Sequence, residues 1–353
     1  MSNKIKVGII GLGRAGMNMH LPELNKFPEL FEITAGVDID PEHCKIFNEK
    51  CEAKTYSDMD EMLKDANCDL VSIATRSPDH VKHAKKLLKT GKYVFLEKPI
   101  ALNYAEAKEL AEASKKYPGK LFLRHNRRFE RPFNHIKEII ASGILGDVYE
   151  IKLHRHGYQR RCDWQTLIEC GGGQLNNWGP HIVDHALRFL ESPVKEIWSD
   201  LKKIAAVGDA EDHLKVILKG ENNRIVDFEI SDGTALSQPE YIVFGTKGAL
   251  TSDGKTIKMK YIDPEFVLPE IKPDPGTPSL DGGIANCYED LSKVEWIEKE
   301  IDVTPSCDCY MRTIWEKIYE SIRNGAEFPV TIEQGLEVVR VTEIVKKNSE
   351  FCS

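Results

Sequence analysis

The sequence lacks the features of a membrane-spanning, secreted or nucleic-acid-binding protein. No apolar run in its 353 residues approaches the ~20 residues that cross a bilayer, and the short apolar segment near the N-terminus does not resemble a secretory signal. A net charge of −8 disfavours nonspecific binding to nucleic acid. The nine cysteines are odd in number and have no paired spacing, which indicates reduced thiols. We therefore expect a cytoplasmic protein with neither nucleic acid nor membrane among its partners.

The length fits about two domains. Residues 1–124 alternate short apolar runs with amphipathic stretches, which predicts an α/β domain built of βαβ units around a parallel sheet. The predicted strands are 5–10, 31–37, 69–74, 93–96 and 120–123. The predicted helices between them are 57–66, 78–91 and 103–117, the last with Asn103 as its N-cap.

From residue 125 to residue 353 the pattern changes to that of an α+β domain. Alternating strands in 147–158 and 195–250 predict a large, mostly antiparallel sheet with helices on one face. The stretch 262–306 holds six prolines, and we interpret it as a long irregular excursion or lid. The predicted helices are 132–142, 180–191, 310–323 and 331–348. We expect the final helices to pack back on the first domain.

A glycine motif follows the first predicted strand. Gly11, Gly13 and Gly16 have the G-x-G-x-x-G spacing, between a strand and a probable helix. In that setting the first glycine permits a tight turn, the second allows a pyrophosphate to approach the backbone, and the third allows helix and strand to pack closely. Helix N-terminal N–H groups then face the phosphates. The motif predicts a dinucleotide site, and we count the intervening Arg14 and Ala15 among its cofactor contacts.

The second predicted strand ends on Asp38, 22 positions after Gly16. This is close to the ~20-residue offset of the carboxylate that accepts the adenosine ribose hydroxyls. No lysine or arginine follows until Lys45, so no obvious partner awaits a 2′-phosphate. We expect NAD in preference to NADP. The alternative role for Asp38 is a turn or helix cap, since Asp40-Pro41 follows.

Lys98 directly follows a short apolar strand and precedes Pro99. The carboxyl edge of a parallel sheet is where open α/β folds bind their ligands. Proline ends the strand and fixes the backbone there, which predicts a lysine held at the site. The alternative is an ordinary surface lysine at the end of a strand.

The second half contains one dense polar patch, from Gly171 to His185. Three consecutive glycines allow the backbone to pass close to a flat ligand. His181, Asp184 and His185 fall on one face of the helix that follows, and a histidine near a carboxylate suits proton transfer. The alternatives are a satisfied core histidine or a metal site on these three residues. We disfavour the metal because a dinucleotide supplies an electrophile without one.

The loop before that patch mixes donors, acceptors and aromatic rings. Tyr158, Arg161 and Trp164 are candidates for recognising a polyhydroxylated ring, and Arg161 could instead bind a phosphate or carboxylate. A solvated loop is the alternative for each. Arg128 is a further candidate for substrate binding, or it caps the domain junction.

Taken in order, these motifs resemble those of the glucose–fructose oxidoreductase/inositol dehydrogenase/MocA (Gfo/Idh/MocA) family over essentially the whole chain. The resemblance is carried by Gly11–Gly16, Ala74–His80, Glu97–Pro99, Asn126–Phe129 and Gly171–Asp184. It implies an N-terminal Rossmann domain, a doubly wound parallel sheet, and a C-terminal α/β domain whose open sheet often mediates homodimers or homotetramers. It further implies NAD(P)-dependent oxidation or reduction at a carbinol carbon of a sugar or cyclitol.

The resemblance also implies roles for individual residues. Lys98 would hydrogen-bond the reacting hydroxyl and the nicotinamide region after a Lys98–Pro99 bond that can be cis, and His181 would be the acid/base. Asp184 would support the site. The remaining implied cofactor contacts are Thr75, Pro78, His80 and Glu97.

One position departs from the family pattern. Relatives commonly carry aspartate four residues before the catalytic histidine, where this chain has Asn177. Asparagine can orient a histidine or contact substrate but cannot stabilise an imidazolium by charge. Two other functions on the same fold stay open: glycoside cleavage through transient oxidation with no net redox change, and ligand sensing without catalysis.

Overall fold

The computed structural model describes residues 4–273, 275–277, 294–303 and 309–351. Its first sheet has six parallel strands in the order β3-β2-β1-β4-β5-β6, the doubly wound arrangement expected from the sequence. The order reverses between β1 and β4, and folds of this kind bind their ligands in the crevice at the carboxyl ends of such strands. The strands are β1 Ile5–Ile10, β2 Phe31–Val37, β3 Lys54–Tyr56, β4 Leu70–Ile73, β5 Tyr93–Leu96 and β6 Leu121–Leu123.

Helices cover both faces of this sheet. After the glycine motif a π-helical turn, Gly16–His20, continues as α1, Leu21–Leu24. The N-cap predicted at Asn103 is present, where its side chain accepts from the Glu106 N–H at 2.9 Å. The sequence reading missed β3 and α2, although Asp40 followed by Pro41 is a helix-start signal. The other helices of this half are α2 Pro41–Cys51, α3 Met59–Asp65, α4 His80–Leu88 and α5 Tyr104–Lys115.

The second sheet has eight strands in the order β14-β13-β12-β11-β7-β10-β9-β8. Only the β7–β10 pair is parallel, so the expected mostly antiparallel sheet is confirmed. The strands are β7 Val148–His156, β8 Val194–Lys202, β9 His213–Gly220, β10 Ile225–Ser231, β11 Tyr241–Gly245, β12 Gly248–Ser252, β13 Thr256–Ile262 and β14 Trp296–Asp302. The helices are α6 Arg131–Ala141, α7 Gln174–Asn177, α8 Gly179–Leu190, α9 Cys309–Asn324 and α10 Ile332–Lys347.

Helix α8 fills the centre of the second domain. Eleven of its twelve residues are buried, because it packs between α10 and the strands β7, β9 and β10. Side chains of α8, of the sheet and of α10 form one continuous core. The polar residues of α8 therefore lie in an apolar setting.

Helix α9 packs on the first sheet. Ile314, Trp315 and Ile318 are fully buried in the same cluster as residues of β1 and β2. The Trp315 ring meets the edges of Phe95 and Phe31 at centroid distances of 4.8 and 5.5 Å. The chain thus returns from the second sheet to the first.

The expectation that 262–306 is irregular throughout is wrong for its last part. Residues Trp296–Asp302 form β14, which pairs antiparallel with β13. The strand is mostly exposed, so it has only the weak alternation of Ile297 and Ile301 and escapes a periodicity search. Residues 274, 278–293 and 304–308, which include much of the proposed lid, lie outside the described residues.

In the part of the chain that the structure describes, no helix combines the length and the apolar character that crossing a membrane requires.

Candidate active site

The glycine motif has the shape that a dinucleotide requires. Gly11 has φ +88°, and a Cβ there would lie 2.6 Å from the Ala74 carbonyl carbon. A Cβ on Gly16 would lie 2.0 Å from the Gly11 oxygen, so the third glycine permits close packing. Gly13 differs, since a Cβ there would meet no atom within 4 Å. The open space beside Gly13 fits a phosphate approaching the backbone, whereas the other two glycines are required by the protein itself.

Asp38 connects the end of β2 to the glycine loop. Its Oδ2 accepts from the Leu12 N–H at 2.6 Å, and its Oδ1 accepts from the Asp40 N–H at 2.9 Å. The side chain of His43 is near, with Nδ1 3.4 Å from Oδ2. A carboxylate has about four lone-pair sites, so these bonds leave acceptor capacity for ribose hydroxyls.

The residues after β4 continue the carboxyl edge of the first sheet. Pro78 is exposed in a 3₁₀ turn, while His80 is buried at its end. The ring nitrogens of His80 lie 2.7 Å from the Pro99 carbonyl oxygen and 3.0 Å from that of Thr75. Burial lowers the pKa of His80. His80 therefore ties the end of β4 to the loop that follows Lys98, and the Thr75 hydroxyl lies 3.3 Å from His83 Nδ1.

Glu97 belongs to a buried network beneath the site. Its Oε1 accepts from His20 Nε2 at 2.8 Å and from Arg124 Nε at 2.9 Å, and its Oε2 accepts from the Lys98 N–H at 3.0 Å. Burial alone would raise the pKa of Glu97, but Arg124 and His20 hold it well below its usual range. The carboxylate accepts only, so His20 donates through Nε2, and its Nδ1 is hydrogen-bonded to the Ser72 hydroxyl, 2.6 Å away.

The far side of this network reaches α9. Arg124 donates to both oxygens of Glu23, at 2.9 and 2.6 Å. Trp315 Nε1 donates to Glu23 at 2.7 Å. Glu23, Arg124 and Glu97 are each at least 94% buried, and their charges are matched by direct partners.

Lys98 follows Glu97 at the same strand end, but its side chain contacts the second half of the chain. Its ammonium donates to the Asn177 carbonyl oxygen at 2.8 Å, across 79 positions of sequence. Burial lowers the pKa of Lys98 to about 8. The Lys98–Pro99 bond is cis, as the resemblance implied. Lys98 is thus held between the two domains, against the patch that carries His181.

His181 is buried in the first turn of α8, and within the described residues its Nδ1 has no hydrogen-bond partner. Its ring meets the Trp178 ring edge-on at 5.9 Å. Burial and the nearby charges of Lys98 and Arg127 lower its pKa well below the ordinary value. His181 is therefore neutral near pH 7, with a nitrogen available for a proton.

Asp184 and Arg128 form an ion pair behind His181. Arg128 Nε and Nη2 donate to the two carboxylate oxygens at 2.6 and 2.5 Å, and Arg128 also donates to Gln334. Burial alone would raise the pKa of Asp184, but His125 and Arg128 lower it. The structure thus places both side chains in the interior, where they fix the junction of α8, α10 and the segment after β6.

Two clefts flank the start of α8. The amide cleft is lined by Gln165, Gln174 and Asn177, with Arg161 and Asp232 among its other residues. The histidine cleft is lined by Arg127, Trp178, His181, Glu240 and Tyr241. Asn177 therefore borders the first cleft and His181 the second.

The other predicted substrate contacts lie at different depths. Tyr158 is 66% exposed. Arg161 forms a two-pronged pair with Asp163, at 2.7 and 2.8 Å, and Trp164 lies beneath the guanidinium of Arg76 at 5.7 Å. The structure brings Arg161 to the amide cleft and leaves Tyr158 at the surface.

Sequence reasoning missed two buried residues beside the site. His125 is 2% exposed, has no partner for either ring nitrogen among the described residues, and has a pKa lowered by burial to about 4. Gln174 is 5% exposed and lines the amide cleft. Gln174 directly follows the three glycines, and this position was the available signal. Across the residues that the structure describes, no cluster of side chains could hold a metal ion.

Two family models match the chain. The model of the oxidoreductase family with an NAD-binding Rossmann fold covers residues 5–125, and the model of the Gfo/Idh/MocA C-terminal domain covers residues 133–251. The chain belongs to the Gfo/Idh/MocA family. The resemblance seen in the motifs, the fold class and the assignment to NAD(P)-dependent oxidoreductases are confirmed.

Curated relatives within the Gfo/Idh/MocA family include two inositol dehydrogenases. The scyllo-inositol 2-dehydrogenase (NADP(+)) IolW of Bacillus subtilis is 26% identical, with 98% of this chain and 94% of that protein covered. The myo-inositol 2-dehydrogenase of Thermotoga maritima is 28% identical, over 70% of this chain and 75% of that protein.

A solved structure shares the fold over nearly its whole length. The WlbA dehydrogenase of Bordetella pertussis, in complex with NADH and UDP-GlcNAcA, has a TM-score of 0.77 at 19% identity, with 99% of this chain and 97% of that chain covered. At this identity the similarity shows the fold alone.

Proposed function

We propose that this protein catalyses hydride transfer between NAD and a carbinol carbon of a cyclitol, sugar or sugar derivative. The observation that carries the proposal is the bond from Lys98 to the short segment that leads into His181. The ammonium of Lys98 bonds to the backbone of Asn177, one helical turn before a neutral histidine with an unpartnered nitrogen. The two inositol dehydrogenases among the relatives support the substrate class.

The first domain has the residues to hold NAD. Gly13 leaves room for its phosphates, while Gly11 and Gly16 shape the loop, which also contains Arg14 and Ala15. Asp38 would accept from the ribose hydroxyls, and its negative charge would repel a 2′-phosphate, which is why we propose NAD over NADP. The bound nicotinamide would supply a hydride acceptor or donor beside Lys98.

Lys98 and His181 divide the proton chemistry between them. With a pKa of about 8, Lys98 is protonated at pH 7, and its Nζ–H groups can stabilise negative charge on the reacting oxygen. Neutral His181 can take the hydroxyl proton during oxidation and return it during reduction. Both groups have their pKa lowered by burial, a pattern that is common at catalytic sites.

Several residues predicted from the sequence receive positioning roles in this proposal. Glu97 fixes the backbone of Lys98, while Arg128 and Asp184 fix the helix that presents His181. Direct contacts with substrate then fall to Asn177, Arg161 and residues of the neighbouring loop, including Tyr158 and Trp164. We also propose a cytoplasmic homodimer or homotetramer, assembled through the face of the second sheet that α8 and α10 do not cover.

Replacement of Lys98 by methionine tests the proposal. Lys98→Met keeps the length and apolar stem of the side chain but removes the ammonium, so we expect turnover to fall by roughly 10³-fold or more, comparable to the loss of an oxyanion donor. The NAD dissociation constant, measured by calorimetry, should change little because the glycine loop is intact. Turnover that survives unchanged, or absence of NAD binding in the natural protein, would refute the proposal.

The retention of both Lys98 and His181 speaks against a purely ligand-sensing role. Glycoside cleavage without net redox change is distinguished by its products: released sugar with no accumulation of NADH.

A further inference from the structure

The amide cleft contains buried acceptors that none of the described residues satisfies. Gln174 Oε1 and Gln165 Oε1 are both inaccessible to solvent, and neither has a hydrogen-bond partner among the described residues. Gln174 is 5% exposed. A buried polar atom without a partner costs about 1–3 kcal/mol, so such atoms call for an explanation, commonly a group that binds there.

The carboxylate of Asp232 fixes the orientation of these amides. Gln174 donates through Nε2 to one oxygen of Asp232, and Gln159 Nε2 donates to the other at 2.8 Å. A carboxylate accepts only, so the NH₂ group of Gln174 must face Asp232 and its carbonyl oxygen must face elsewhere. Gln165 Nε2 lies 3.5 Å from Asn177 Oδ1, which leaves Gln165 Oε1 as its unpartnered atom. The unpartnered atom of Gln174 is an acceptor because Asp232 can only accept.

An acceptor needs a donor, and this limits the ligand. A hydroxyl group carries a proton to donate, whereas a carboxylate or a phosphate dianion carries none. The group that completes Gln165 and Gln174 is thus a hydroxyl, an amine or water.

The charges of the residues that line the cleft also disfavour an anionic ligand. Its only cationic side chain among the described lining residues is Arg161, whose guanidinium is already paired with Asp163. The lining also includes three acidic residues, Glu211, Asp212 and Asp232. Burial raises the pKa of Glu211. Even if Glu211 is counted as neutral, the two negative charges of Asp212 and Asp232 outnumber the one positive charge of Arg161. An anionic substituent would meet repulsion here.

We infer that the amide cleft is a specificity subsite that accepts hydroxyl groups of an uncharged polyol ring through Gln165 and Gln174 and rejects sugar acids and sugar phosphates. The inference rests on the proposed function, because it takes Asn177, which lines the amide cleft, as a neighbour of the reacting carbon. It revises the expectation that Arg161 binds a phosphate or carboxylate. A neutral cyclitol or neutral sugar is then the substrate class.

Matched neutral and anionic compounds test the inference directly. The NAD-loaded protein is titrated with myo-inositol and D-glucose, and in parallel with D-glucuronate and D-glucose 6-phosphate, and binding is followed by calorimetry and NADH formation. We expect at least one neutral compound to bind, and D-glucose to exceed each of its anionic counterparts by about tenfold or more.

Two variants connect this preference to the amides. Gln174→Leu and Gln165→Leu keep side-chain size but remove the acceptor, and each should lower kcat/KM for the preferred neutral compound by roughly 10- to 100-fold. The NAD dissociation constant should be unchanged. Gln238→Leu, the same substitution at an exposed position outside the cleft, is the control. The unfolding temperature shows whether each leucine variant folds. If one of them does not fold, the other leucine variant tests the inference.

The outcomes separate the inference from the proposed function. If NAD itself does not bind, the proposed function fails and the inference fails with it. If NAD binds but D-glucuronate or D-glucose 6-phosphate is preferred, or no neutral compound binds, the inference alone is overturned. It is also overturned if the folded leucine variants keep the kcat/KM of the natural protein.

Discussion

Glu97 and Lys98 are consecutive residues at one strand end, yet they lie in opposite kinds of environment. The Glu97 side is a closed network in which His20, Arg124, Glu23 and Trp315 all have direct partners. On the Lys98 side, His181 and His125 have buried ring nitrogens without partners in the described chain. Two adjacent residues thus border one region whose buried polar groups have hydrogen-bond partners and another in which some do not.

The difference separates stability from function. A fully paired buried network fixes geometry, and breaking it is costly. An unpaired buried group weakens the folded state and is retained where a ligand or a proton will complete it. In the proposed function, the Glu97 side therefore supports the site and the Lys98 side performs the chemistry.

The largest expected effect is on the closed side. Arg124→Leu leaves the carboxylates of Glu97 and Glu23 buried without their shared cation, so we expect a loss of about 3–5 kcal/mol in the free energy of unfolding. That is a large part of a typical total of about 5–15 kcal/mol. Urea denaturation measures it. A loss below about 1 kcal/mol would show that the network does not support the strand end.

On the open side, His181→Gln should have the reverse signature. We expect kcat/KM to fall by roughly 10²-fold or more, because proton transfer loses its base. The free energy of unfolding should stay within about 1 kcal/mol, since no ion pair is broken. His135→Gln, on the partly exposed face of α6, is the matched control. A variant that is strongly destabilised but still active would reverse the roles of the two sides.

The smallest expected effect is a gain in stability. Burial lowers the pKa of Lys98 from 10.5 to about 8, so the folded protein carries a disfavoured charge below pH 8. We expect Lys98→Met to be more stable than the natural protein at pH 7, by about 1–3 kcal/mol after allowance for its partial exposure.

That gain should depend on pH in a defined direction. Between about pH 8 and 10.5 the unfolded chain holds the Lys98 proton more tightly than the folded one, so the natural protein gains stability as pH rises. The difference in the free energy of unfolding between the natural protein and Lys98→Met should therefore shrink over this interval. Lys89→Met, at an exposed position, should show no such trend. A gap that is constant with pH would contradict the buried-ammonium interpretation.

Local sequence patterns were sufficient for the parts of the site that depend on local geometry. The glycine motif, the lysine after a strand and the cap at Asn103 are all recognisable within a few residues. The exposed strand β14 was missed because few of its side chains are buried, and burial is what creates a periodic pattern.

The partners within the site could not be predicted in the same way. Glu23 meets Arg124 across 101 positions and Trp315 across 292, and Arg128 meets Asp184 across 56. Sequence spacing carries no information about such pairs. For the same reason the sequence left Arg128 open between substrate binding and the domain junction, and the roles inferred for Gln165 and Gln174 depend on where Asp232 lies.

The return of α9 to the first sheet has a consequence for anyone who recombines these proteins. The nucleotide-binding half is discontinuous in sequence: Trp315 closes its core and completes the bonds to Glu23, although it lies far beyond residue 124. A fragment that ends near residue 124 would expose Phe31 and Phe95, the rings that Trp315 covers. Chimeras between relatives should therefore exchange α9 together with the N-terminal half, as one inherited unit.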